Sequence, residues 1–568
     1  VLATLALILW IFGSNALNSY GYGASDIPVH NYWINALSDN KLFVAGVYPM
    51  GFHAIIYFIH AVFGMPTYVL LRLFWLVQVI YIVFMITAFL KVVCRTRFIA
   101  YVGSAIYVGT VLFPVHTYSR FYSSLPQEYG MIFILPSALF AIEFFRQYSI
   151  ELKNRKDKKD KPDKKESRRY LMLFAISFSM TLAVHFYNTM IAGLFCMGIA
   201  AGFFFRFFRW RYFKRIMLTG IISVIIAAAP MVIAFVCGTP LQGSLGWGLS
   251  VINGGNSDTK QEEKNIQEEK NIDIQNMTIE EIAASLNGDT ESTGNAGNAA
   301  VQSQTNTPVI TEAPNPSLSE KVGEIPEKIK NVWNMMAQRL REFIINLPEK
   351  WCAYAVLTGI GVLILLGLVF IIFRRTAYGE MLMSAGFCMG ILTLLLCAGN
   401  LGLPVLMDPA RCSIYYAYLL VAVLTLLGDG ILYLIFMPRI LRVIRNAAAL
   451  GLITVAGMIH QDLIKTPDFL SGYVSNGALT CLTNIIRENE DKTWTIVSAN
   501  DETQMGLDHG WHYETITFLR GMETLEKNTK VIIPTKTVYF FIEKIPGDYA
   551  VSYAKSGQSI SRKGASRS

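Results

Sequence analysis

Apolar residues in this chain come in long unbroken runs rather than in alternating or heptad patterns. The runs lie near 66–93, 97–116, 126–146, 170–187, 189–208, 216–237, 352–373, 380–398, 412–437 and 446–461. Each approaches or exceeds the roughly 20 residues that an α-helix needs to cross a bilayer. With an apolar stretch at the start, they predict an α-helical polytopic membrane protein of about 11 transmembrane helices. The sequence opens on Val1 inside that first stretch, which reads as an N-terminally trimmed and incomplete span. Lacking a basic n-region and a small-residue cleavage site, residues 1–13 do not read as a signal peptide.

The polar segments between the runs divide the chain. Residues 1–237 form an N-terminal transmembrane module with an outward loop at 15–50, and 351–461 form a second module. Between them, 238–350 is a polar insert. Its part 255–318, with "QEEKNIQEEKNI" and a Gly/Asn/Thr/Ser-rich stretch, has too few apolar residues to order and is predicted to be disordered. Residues 325–347 place Ile329, Val332, Trp333, Met336, Leu340, Phe343 and Ile344 at helical spacing between charges. That pattern predicts an amphipathic helix lying on the membrane surface. In 462–568 the stretches "TWTIVSA", "KVIIPT" and "TVYFFIEKI" are strand-like, which predicts a small α/β domain with a loose tail.

Composition agrees with the pattern: 53% of the residues are hydrophobic and 16% charged, and the mean hydropathy is +0.39. A soluble domain does not combine these values. The formal net charge of +8 raises nucleic acid as a partner, but the basic residues sit in short loops between runs. Four blocks, 147–169, 206–215, 374–375 and 438–445, fall on one side by alternation, and the positive-inside bias makes that side the cytoplasm. The loops 15–50, 117–125, 238–350 and 399–411 and the C-terminal domain then face outward, so a multi-pass cell-membrane protein with extracytoplasmic loops is expected. The eight cysteines lie mostly in or beside apolar runs and form no CxxC metal site or disulfide framework.

The outward segments hold the unusual polar residues. In the first loop Ser25 or Asp26 can cap a helix whose first turn tolerates Pro28, so Asp26 reads as an N-cap. Four residues on, His30 shares its face and makes an acid/base pair with it an alternative. "VYPMGFHAI" supplies Tyr48 and His53; His53 is either an interface histidine or part of a site. A divalent metal held by Asp26 and His30, with His53 or His185 as third ligand, is one option, although no ligand spacing such as HExxH supports it. Arg120 fits a headgroup anchor or a site arginine. Glu128 is drawn into an apolar run, a depth at which ionisable groups usually mark function. His185 and Asn188 sit between two runs joined by almost no loop. Asp408 and Arg411 either close a loop by a salt bridge or offer an arginine to a phosphate. In the C-terminal domain, Asp501, Asp508, His509 and His512 read as a solvated loop or as a lid over the outer face.

One reaction uses this inventory: transfer of a sugar from a polyprenyl phosphate to a cell-envelope acceptor. It needs a carboxylate to take the acceptor's proton and cations to stabilise the departing phosphate. Asp26 would be the base with His30 beside it. Arg411 and Arg120 would clamp phosphate, and Tyr48, His53, Glu128, His185, Asn188 and Asp408 would line the donor site. A transporter or flippase for a lipid-linked glycan is the alternative. It would be expected to show internal repeats with interrupted spans, and the chain shows none.

The motifs "SDIPVHNYWINAL", "VYPMGFHAI", "RFYSSLPQEYG", "DPAR" and "NDETQMGLDHGWHYE", in this order, resemble a bacterial group of multi-pass proteins placed near the GT-C superfamily of polyprenyl-phosphate-sugar glycosyltransferases. The resemblance implies an inverting transfer on the outer face, with Asp26 matching the catalytic acid of the first loop. It also implies a lipid-linked sugar and a glycan, lipid or protein acceptor as partners, membrane lipid around the spans and no nucleic acid. The chain departs from the pattern in having Ser25, not a second acid, before Asp26, and no DxD motif.

Overall fold

The computed structural model describes residues 2–13, 16, 26–111, 123–156, 165–243, 330, 333–338, 340, 349–373, 375–401, 403–459, 476–498, 509–515, 518 and 533–541. In chain order the helices are α1 (Leu2–Ile8, continued by a π-helical turn at Leu9–Gly13), α2 (Ile27–Ser38), α3 (Gly51–Phe63), α4 (Thr67–Val93), α5 (Ile99–Val111) and α6 (Pro126–Lys156). There follow α7 (Lys165–Val184), α8 (Phe186–Gly202), the short α9 (Phe204–Phe207), α10 (Trp210–Val236), α11 (Glu349–Ile372), α12 (Thr376–Leu396), α13 (Pro409–Ile435), α14 (Arg442–Ile459) and α15 (Asn476–Glu488). The strands are β1 (Trp494–Ser498), β2 (Trp511–Glu514) and β3 (Thr537–Phe540).

Six described segments are long and apolar enough to cross a membrane: Thr67–Val93, Pro126–Asn154, Trp210–Val236, Trp351–Ile372, Thr376–Leu396 and Arg411–Ile435. Among the described residues this does not confirm the expected number of about 11, although helices stand at the predicted runs. Helix α5 is described over 13 residues and α8 has 17, and α7 opens on the polar turn "KESRR". Helix ends follow local chemistry. Pro126 starts α6, where its missing N–H is no loss. Gly64 closes α3 in a left-handed conformation and donates its N–H to the His60 carbonyl at 2.8 Å.

Small residues bring the helices together. In α8, Gly198 and Gly202 sit one turn apart against α12. A Cβ on Gly198 would lie 2.8 Å from the Cys388 nitrogen, and one on Gly202 would lie 2.5 Å from that of Ser384 and 2.6 Å from the Glu380 carbonyl oxygen. The contact therefore descends α8 as it climbs α12, so the two run antiparallel with their backbones in touch, the geometry small-xxx-small faces allow. Around it one core cluster gathers Met131 and Leu135 of α6, Ile191 and Phe195 of α8, Met389 and Leu392 of α12, and Tyr415 and Leu419 of α13. Helix α10 presents Ile221, Ile225, Ile226 and Ile233 outward, all more than half exposed, as a lipid-facing helix does.

Two ends of the bundle carry the polar side chains. At one, Arg206 makes a two-pronged pair with Glu380, 2.9 Å on each side, and reaches the Ser149 hydroxyl at 2.6 Å. There too, Asp429 accepts the N–H groups of Arg95 (2.7 Å) and Thr96 (2.8 Å) and the Tyr378 hydroxyl (2.5 Å). Residues of the basic blocks thus converge at this end.

The C-terminal region holds a parallel sheet of order β2-β1-β3. Central β1 is buried along its whole length, as expected of a strand covered on both faces. Two expectations change here. Of "KVIIPT", the described residues 533–535 are not strand, since Pro534 cannot donate to a ladder. Strand β2 instead comes from "WHYE", part of a stretch that reads as loop. The predicted disordered segment 255–318 lies outside the described residues, as do the tail from 542 and most of the amphipathic segment 325–347, of which 330, 333–338 and 340 are described as helical.

The glycine contact sets a test. Replacing Gly202 by Ala must push α8 off the α12 backbone, at a cost of about 1–3 kcal/mol. On the same helix nothing lies within 4 Å of a Cβ at Gly193. Thermal unfolding in detergent should therefore show a lowered midpoint for Gly202→Ala and an unchanged or higher one for Gly193→Ala.

Candidate functional site

At the end of the bundle opposite the basic blocks, α2 enters with Pro28 in its first turn and Asp26 at its N-cap position. Asp26 is exposed, and its side chain makes no capping hydrogen bond. Its carbonyl accepts the His30 N–H at 3.1 Å. One turn inward the helix is buried: His30, Trp33 and Ile34 all face the protein. The imidazole of His30 turns to His53, not to Asp26, with Nδ1 3.0 Å from His53 Nε2.

Two backbone contacts place the partners of His30. Gly46 has φ +98, a conformation that side chains rarely adopt, and a Cβ there would lie 2.8 Å from the Gln242 nitrogen. This lets the loop pair with the segment after α10, through Val47 N–H to the Pro240 carbonyl (2.8 Å) and Gln242 N–H to the Val47 carbonyl (3.2 Å). Tyr48 is thereby held over the histidines. Gly51 at the start of α3 approaches the end of α7 so closely that a Cβ would sit 2.6 Å from the Ala183 oxygen. His53 is carried in on the next half-turn and is fully buried.

The rings form a continuous layer. Trp33 lies 5.2 Å from both Tyr48 and His53, and Tyr48 lies 6.0 Å from His185. His185 caps α8: its Nδ1 accepts the Tyr187 N–H at 3.2 Å, so a neutral ring carries its proton on Nε2. Aromatic flanks of this kind exclude water from the imidazoles. Among the described residues, His53 Nδ1 has no hydrogen-bond partner. Whichever tautomer the pair adopts, this atom retains one unused donor or acceptor function.

A second group adjoins the first through α8. Asn188 donates to the Gln127 carbonyl at 3.0 Å and accepts the Tyr415 hydroxyl at 2.8 Å. Glu128 is buried in the first turn of α6, where a helix N-terminus favours negative charge. The Arg411 guanidinium lies 5.8 Å from the Tyr187 ring centre, and the charges of Arg411 and Asp408 both act on the Tyr187 hydroxyl.

His30, Tyr48, His53 and His185 therefore meet in one layer, with Asn188, Glu128, Asp408 and Arg411 beside it and Asp26 exposed one turn above His30. Arg120 lies outside the described residues, as do Asp501 and Asp508. His509 pairs with Asp491 at 2.8 Å, and His512 belongs to β2. Among the described residues, no group of three or more His, Cys, Asp and Glu is arranged to hold a metal ion, since His30 and His53 direct nitrogens at each other. Tyr187 and Tyr415 are additions to the site. Their signal was faint: Tyr187 sits inside "HFYN", and Tyr415 follows Arg411 by one helical turn. A scan against protein-family models finds no match, and neither does a search of curated proteins.

Burial, then the charges of His30 and His185, hold the His53 pKa well below its ordinary 6.5. The unfolded chain takes up this proton near 6.5, whereas the folded one does so only at lower pH. Its contribution to stability is thus complete above about pH 6.5 and is lost as pH falls toward the folded value, by up to about 1.4 kcal/mol per pH unit. The unfolding midpoint should fall between pH 7 and pH 5, and His53→Gln should flatten that slope. An equal slope in the variant would mean that His53 is not held neutral.

Proposed function

We propose that this protein is a membrane glycosyltransferase of GT-C-like architecture that moves a sugar from a polyprenyl phosphate to a cell-envelope acceptor, with inversion, at the extracytoplasmic face. The observation that carries the reading is the meeting of an exposed carboxylate, a water-excluding imidazole and aromatic layer, and an arginine at one end of an apolar bundle. The basic blocks at the other end favour the cytoplasm for that side, which turns the site outward. The donor's tail would lie in lipid against the bundle, with its phosphate and sugar at the site's level.

In the reaction, Asp26 takes the proton of the acceptor hydroxyl as its oxygen bonds to the anomeric carbon. The bond from that carbon to the phosphate oxygen breaks on the opposite face, which gives inversion. Its electron pair leaves with the polyprenyl phosphate, whose charge Arg411 stabilises; Arg120 is assigned the same role. Held in a site with little water, a fixed guanidinium stabilises such charge more than it would in solution. His30, His53 and His185 orient the donor, and Tyr48 and Trp33 flank it.

The test uses the purified protein in vesicles with radiolabelled polyprenyl-phosphate sugars and an extract of envelope acceptors. Wild type should transfer label. Asp26→Asn should lower transfer at least 100-fold while still binding the lipid, and Arg411→Ala should weaken both transfer and binding. Movement of the lipid sugar across the bilayer, equal in wild type and Asp26→Asn and without transfer by either, would establish a flippase instead.

A further inference from the structure

At the basic end, the chain entering α10 carries a surface that the reaction above does not use. The tract "FFRFFRWRYFKR" covers residues 204–215. Phe204, Phe205, Phe208 and Trp210 are each more than half exposed, and Arg209, Arg211, Lys214 and Arg215 are exposed among them. The rings touch in series, from Phe205 through Phe204, Phe208, Phe207 and Phe213 to Trp210, with centroids 4.7–5.9 Å apart. The bundle holds the tract in place from behind. Tyr212 is buried against Tyr148, 4.7 Å between ring centres, and Arg206 is fixed by Glu380 and Ser149.

Little of this positive charge is answered by acids among the described residues. Between Glu166 and Asp258 the sequence has no acidic residue. On the neighbouring helices, Glu380 already faces the Arg206 guanidinium with both oxygens, Glu143 pairs with Arg146, and Glu151 accepts the Ser167 N–H and hydroxyl at 3.0 and 2.8 Å. Arg209 adds a second charge near Glu380, and Arg215 lies 4.4 Å from the Tyr148 ring centre. Helix α10 sets the depth of the tract. Its outward apolar side chains run from Met217 to Val236, a rise of about 30 Å, which matches the hydrocarbon thickness of about 30 Å. Lys214 and Trp210 continue the exposed stripe of Met217, Ile221 and Ile225 by helical spacing. They therefore stand at the level of the lipid headgroups.

We propose that residues 204–215 bind acidic phospholipid of the surrounding membrane, with Arg209, Arg211 and Lys214 on its phosphate and the exposed rings among its glycerol and upper acyl carbons. Aromatic side chains favour that level of a bilayer. Arg and Lys stems lie along apolar surface while their charges reach the headgroups, and basic groups beside a span draw anionic lipid. The exposed rings continue the lipid-facing stripe of α10, so a lipid meets ring and cation together, whereas a soluble acidic partner would have to displace the bilayer edge from them. This binding does not depend on the glycosyltransferase reading, because it lies at the end opposite Asp26 and Arg411.

The experiment titrates the full-length protein in nonionic detergent with fluorescent phosphatidylglycerol and with phosphatidylcholine of the same chains. Wild type should prefer phosphatidylglycerol about tenfold, and the preference should shrink as salt is raised. The triple variant Arg209→Gln, Arg211→Gln, Lys214→Gln should lose that preference while binding phosphatidylcholine as wild type does. Should the triple variant misfold, Lys214→Gln alone makes the same comparison at one exposed position, with a loss of about threefold. Arg411→Ala, at the opposite end, should keep the preference, and glycerol phosphate, the headgroup without its chains, should not compete. Equal binding of the two lipids by wild type overturns the proposal. So does competition by glycerol phosphate, which would mark a phosphate site, or a preference that survives in whichever tract variant folds and disappears in Arg411→Ala.

Discussion

No water reaches the middle of an apolar helix bundle, so every polar group there must be satisfied by the protein itself. The arrangement of this molecule follows from that constraint. Backbone groups are closed within helices, and polar side chains are driven to the two ends. At the basic end they are engaged with one another: Asp429 takes two backbone N–H groups and a tyrosine hydroxyl, and Arg206 spans Glu380 and Ser149. These bonds fix the turn between α4 and α5, and the short α9, against α12 and α13. Among the described residues, buried atoms without a hydrogen-bond partner remain at both ends: Thr96 Oγ1 and Arg445 Nε at the basic end, His53 Nδ1 and the Gln127 amide at the other.

The ends differ in the kind of group they hold. At the basic end the buried Arg206–Glu380 ion pair ties α9 to α12. Imidazoles walled by Trp33, Tyr48 and Phe52 are costly to protonate and retain a polar function directed within the protein. The backbone contacts at Gly46 and Gly51 make this layer possible. Each lets main chain touch main chain where a Cβ would intrude, and together they bring α2, α3 and the start of α8 to one level. The C-terminal sheet is tied into this region, because Leu482, Trp494 and Ile496 share a core cluster with Ile27, Ile34 and Phe52.

What the sequence determined by itself was the class of molecule and the location of its helices. Apolar runs leave little choice in lipid, and the positions of α4, α6, α10, α11, α12 and α13 follow from run length and from punctuating residues such as Pro126. Run length did not settle how many segments cross. The residues at helix starts were also legible as candidates, because an ionisable group beside an apolar run is conspicuous. Their relations were not. Spacing put His30 with Asp26, yet the fold turns it to His53, 23 positions away, since burying two rings against each other removes more surface from water than an exposed pairing across one turn. Only the tertiary structure could show that Gln78 and Gln127 are buried and that Gln78 Oε1 and the Gln127 amide have no hydrogen-bond partner among the described residues, because a glutamine's partners lie on other helices and leave no mark in its own neighbourhood.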